Sequence, residues 1–156
     1  MMNLNEAHKG GTFCLSKAGL AIGGTKSQVA IAAPNGAGID YCINGLMYHK
    51  ADAASAAITA ATAQPVLTTC IYLIQLDTSG TVSSVKGDDV LNADLVAGTK
   101  VLQWPKPTDG KCAIGAVKVK VESTATFTAG TTLFDAANVT ATYYDFFAVP
   151  TAPLTA

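Results

Sequence analysis

Hydrophobic and polar residues alternate most cleanly over 112–122, with Val117, Val119 and Val121 on one side and Lys118, Lys120 and Glu122 on the other. A period of two marks a strand with one buried and one wet face. Residues 66–76 read differently: the run is almost continuously apolar, interrupted only by Thr68, Thr69 and Gln75, which predicts a strand covered on both faces. Asp77-Thr78-Ser79-Gly80 then supplies a turn with glycine where left-handed backbone is wanted, and 81–85 returns as the partner strand. Residues 39–43 and 46–49 flank Asn44-Gly45, a pair that tolerates positive φ in a type I′ hairpin turn. Shorter strands are predicted at 12–17 and 27–32, and a final long one at 139–149, closed by Pro150 and Pro153.

Elsewhere the pattern lapses. Residues 51–63 are rich in Ala and carry Ile58 as their only large apolar side chain, so they lack a stripe on which a helix could dock. The expectation there is weak order, extended chain or at most a short helix. Gly19 to Ser27 reads as a flexible turn, and Trp104-Pro105-Lys106-Pro107 as an extended connection within a looser region after 87–89. Eight or so strands with Gly, Pro and Asn turns predict an all-β fold, an antiparallel β-sandwich or jelly-roll-like barrel over 11–156. The polar, aperiodic residues 1–10 read as an extended N-terminal arm that orders against something else.

Composition narrows the partners. Of 156 residues, 49% are apolar and 13% charged, against roughly 25% charged in an average domain. All ten basic residues are Lys, and the formal net charge is −1. Without a basic footprint or a single guanidinium, neither nucleic acid nor an anionic membrane is expected as a partner. No apolar run approaches the ~18 residues of a spanning helix. The start, Met1 to Glu6, lacks a basic segment followed by an apolar one, so no secretory signal is expected and cytoplasmic synthesis is the default.

The inventory for chemistry is thin. His8 lies in the arm and His49 at a strand end, and no local nucleophile signature accompanies them, so no catalytic residue is assigned. Gly23-Gly24-Thr25-Lys26-Ser27 fails as a phosphate loop because Thr25 separates Gly from Lys and a strand follows. Asp88, Asp89 and Asp94 lack the register of a calcium loop. Cys14, Cys42, Cys70 and Cys112 have no zinc or dithiol spacing and read as small buried hydrophobes, with a disulfide in an oxidised particle as the alternative. No metal and no cofactor is expected. Aromatic side chains on an Ala/Thr/Gly surface are the natural contact groups, so the candidate interface comprises Trp104, Tyr143, Tyr144, Phe146 and Phe147, with Leu4 of the arm.

Several stretches in order resemble a family of small structural proteins found in virions of tailed bacteriophages, capsid decoration or head-fibre proteins. They are Lys17-Ala18-Gly19-Leu20-Ala21, Ile43-Asn44-Gly45 with Tyr48-His49-Lys50-Ala51, Tyr72 to Gly80 with Val85-Lys86-Gly87, Ile114 to Val119, and Phe127 to Leu133. The resemblance spans about Lys17 to Pro150 and implies a non-enzymatic virion role with no catalytic residues to carry over. It implies a cement protein on the capsid surface, a homo-oligomer whose partners are the phage major capsid protein and other virion proteins. The alternative is a head- or tail-fibre module that binds a host receptor or glycan.

Overall fold

The computed structural model describes residues 11–122 and 126–146. Asn44 and Gly45 take φ of 52° and 84°, the two left-handed positions of the type I′ turn, and join β4 (Ile39–Ile43) to β5 (Leu46–Lys50). The short strand β1 (Phe13–Cys14) adds to the other side of β4, giving a three-stranded antiparallel sheet in the order β1-β4-β5.

A second three-stranded sheet, β2-β3-β6, consists of β2 (Leu20–Ile22), β3 (Val29–Ile31) and β6 (Ala53–Ala56). One sequence expectation changes here and another is narrowed to one of its alternatives. The Gly19–Ser27 stretch contains a strand where a flexible turn was expected, and its turn is confined to Gly23–Gln28, closed by hydrogen bonds from Gly23 N to Gln28 O and from Gln28 N to Thr25 O. The Ala-rich stretch is extended over β6, because pairing with β3 supplies the backbone partners that its own side chains do not.

The largest sheet runs β11-β10-β7-β8, from β7 (Thr68–Leu76), β8 (Val82–Lys86), β10 (Cys112–Val121) and β11 (Val139–Asp145), with β9 (Val90–Leu91) also pairing with β7. All nine residues of β7 are buried, as its continuous apolarity requires. Cys70, Tyr72, Ile74 and Leu76 enter the main core with Val117, Val119 and Val121 of β10. The same core takes Leu20, Val29 and Ile31 from one small sheet and Ile39, Tyr41 and Ile43 from the other, so the three sheets close on one apolar centre. The chain is therefore all-β and sandwich-like, but it is divided among three antiparallel sheets.

The opposite face of the large sheet is covered by the region expected to be loose. After β9 comes α1 (Asn92–Val96), one short helix, and then an irregular stretch to Lys111. Ile71, Val90, Leu102 and Ala116 form a smaller core there, with Leu95, Trp104 and Phe146 packed against it. This second layer explains how β7 is buried on both faces. The arm at 1–10, the end of the predicted last strand after Phe146, and the candidates Leu4 and Phe147 lie outside the described residues.

Candidate interaction surface

Three of the candidate interface residues meet. Trp104 lies edge-on to Tyr144, with ring centroids 6.2 Å apart at 88°, and edge-on to Phe146, at 5.1 Å and 74°. Tyr143 does not join them. As the neighbour of Tyr144 in a strand it projects to the opposite face, packs against the main core and meets Phe134 at 6.0 Å. Burial raises its phenol pKa to about 12.

Gly115 makes the meeting possible. A Cβ there would fall 2.3 Å from the Tyr144 carbonyl oxygen and 2.4 Å from Leu20 Cδ1. The β10–β7 register also shifts between Ala113 and Gly115. With only a hydrogen at that position, β11 and β2 approach β10 closely, and Leu20 N donates to the Asp145 carboxylate at 2.8 Å. Phe146 N donates to Ile114 O at 3.0 Å, which fixes the backbone at the end of β11 beside Trp104.

Trp104 and Phe146 belong to the wall of a groove of about 710 Å³. Pro105, Pro107, Phe13 and Leu73 add apolar surface, and Lys106, Asp109 and Lys111 add charge. The irregular segment that forms one wall is clipped to the sheet by Gln75. Gln75 Oε1 accepts from Thr108 N at 3.0 Å, while Nε2 donates to Thr108 Oγ1 at 2.9 Å. Lys111 Nζ donates to Ser83 Oγ at 2.8 Å. A buried amide must find partners, so Gln75, in a strand otherwise polar only at Thr68 and Thr69, was a sequence sign that a polar segment crosses that face.

Beside the groove, β1, β4 and β5 align Phe13, Cys42 and Met47 as cross-strand neighbours on one face. Tyr41 and Ile43 occupy the alternate positions and enter the core. Cys42 is buried, but Phe13 is 50% and Met47 73% exposed, and Leu46 at the hairpin tip is 64% exposed. Sequence reasoning missed these exposed side chains, because Leu46 and Met47 resemble ordinary strand residues until the register sets Met47 beside Cys42 and Phe13 and Leu46 opposite Ile43 on the other face.

The other singled-out groups do not converge. His49 Nδ1 lies 2.8 Å from the Asp40 carboxylate in an exposed pair on β4 and β5, and His49 does not line the groove. Asp94 faces Lys100 at 3.2 Å, and Asp89 pairs with Lys86. Among the described residues no cluster of three or more His, Cys, Asp or Glu is placed to hold a metal ion. All four cysteines are free thiols, three of them buried and Cys14 half-buried. Burial raises Cys70 and Cys112 to about 12 and Cys14 to about 11, away from nucleophilic character.

The chain matches no protein-family model, no curated protein sequence and no solved structure.

Proposed function

We propose that the protein is a non-enzymatic virion structural protein, a capsid decoration or cement protein that binds and stabilises neighbouring major capsid subunits. One observation supports this most: Phe13 and Met47 stand exposed on one face of the small β1-β4-β5 sheet, and Leu46 stands exposed at the tip of its hairpin. Large apolar side chains grouped on a surface mark a contact with another macromolecule. The low charge of the chain favours the same reading, since covering an uncharged surface carries little desolvation cost. Many copies on one shell would also let each contact be modest. The phage assignment rests on the sequence resemblance.

The fibre alternative has less support. A sugar platform calls for an open aromatic face, whereas Trp104 is engaged by the rings of Tyr144 and Phe146 at steep angles.

Adding the protein to capsids that lack it tests the proposal. Stoichiometric binding and a raised capsid melting temperature are expected, with Leu46→Asp/Met47→Asp abolishing both while the free protein melts as before. Failure of the unaltered protein to bind would overturn the reading.

A further inference from the structure

We propose that Met47 is an oxidation site, at which hydrogen peroxide converts the exposed thioether to the sulfoxide and thereby releases the contact made by the β4–β5 hairpin. The modification stands on the local structure alone, and its effect on binding rests on the capsid-contact reading above.

Accessibility singles out one sulfur. Met47 is 73% exposed and is the one methionine among the described residues. The thiols are withdrawn: Cys70 and Cys112 are fully buried, Cys42 is nearly so, and the half-buried Cys14 donates its S–H to Ser16 O at 2.8 Å. A thiol must ionise before a peroxide attacks it, and burial holds Cys14 protonated to about 11 and Cys70 and Cys112 to about 12. A thioether has no proton to lose, so its lone pair is available at neutral pH and exposure sets the rate.

The step balances without help from the protein. The Met47 sulfur attacks one oxygen of the peroxide, the O–O bond breaks as the S–O bond forms, and the sulfur's electron pair reduces the peroxide. The proton of the transferred hydroxyl passes to the leaving one, which departs as water.

Position decides the consequence. Met47 stands opposite Cys42 of β4, in line with Phe13 of β1, on the face of the small sheet turned away from Tyr41 and Ile43 in the core. The sulfoxide replaces an apolar side chain there by a polar one with an acceptor oxygen. In solvent that oxygen is hydrated and the fold is undisturbed. Against a partner surface fitted to a thioether it loses its water and gains no donor, and an unpaired acceptor is costly to bury. The change is reversible, because sulfoxide reductases restore the thioether.

The test adds dilute hydrogen peroxide to the full chain, folded and in urea, and measures fragment masses after thiol reduction, blocking and cleavage at lysine. Residues 27–50 form one fragment, with Met47 as its only methionine. In the folded chain this fragment is expected to gain one oxygen at a rate within about threefold of that in urea, with circular dichroism and melting temperature unchanged. A much slower gain in the folded chain, or earlier oxidation of a cysteine, overturns the site. On capsids that lack the protein, the oxidised chain should bind roughly tenfold more weakly than the untreated one. Sulfoxide reductase should restore binding, and Met47→Leu should bind equally before and after peroxide. Equal binding of oxidised and untreated wild-type chains overturns the release. If the untreated chain does not bind, the capsid-contact reading fails and the release with it, while the fragment masses still decide the modification.

Discussion

Leu67 is the position where backbone and side chain disagree most. Its φ is +58°, a region that costs an L residue roughly 1–2 kcal/mol. Neighbours hold it there: Leu67 N donates to Glu122 O at 3.0 Å, and Leu67 O accepts from Asn92 N at 2.9 Å. Its side chain is half exposed and returns little by burial. Leu67→Gly is therefore expected to leave stability unchanged or raise it by about 1 kcal/mol in urea unfolding. Gly115 is the opposite case, since a methyl group would meet a carbonyl oxygen and a core leucine. Gly115→Ala should cost about 1–3 kcal/mol and disturb Trp104 fluorescence, because β11 would have to shift.

Among the elements, the 104–111 segment takes two of its hydrogen bonds to the sheet from one side chain, Gln75. Gln75→Ala removes both bonds to Thr108 and leaves the Thr108 amide to find water. A loss of about 1–3 kcal/mol is expected, together with a red shift of Trp104 emission as the groove wall loosens. Gln75→Ala with an unchanged spectrum would show that the wall is held by other contacts. The elements most legible in the sequence were those that carry their own pattern: the alternation of Val117, Val119 and Val121, the continuous β7, and the Asn44-Gly45 turn. β2 was not legible, because three residues between glycines hold no period and take their identity from pairing with β3. The groove was legible only in parts. Trp104, Tyr144 and Phe146 could be nominated as contact residues, but their meeting depends on Gly115 and on a layer, from Val90 to Lys111, that has little local pattern.

For the molecule as a whole, one apolar centre shared by three sheets makes thiol burial a global matter. In the unfolded chain each cysteine ionises near its ordinary value of 9.0, whereas folding holds Cys14 protonated to about 11 and Cys70 and Cys112 to about 12. Between these values the unfolded state binds fewer protons than the folded one, so stability falls as pH rises. Under reducing conditions the melting temperature should be insensitive to these thiols below about pH 8 and decline from about pH 9 upward. Cys70→Ala should make the decline shallower. The low charge, from which neither nucleic acid nor a membrane surface is expected as a partner, has a structural counterpart in the exposed Phe13, Leu46 and Met47, which suit the proposed role of lying against other protein. The most direct measurement is an electron-microscopy map of the virion. The expected result is density for this fold on the capsid shell, with the β4–β5 hairpin seated on the major capsid subunits; a shell without it, or a hairpin turned to solvent, would contradict the proposed role.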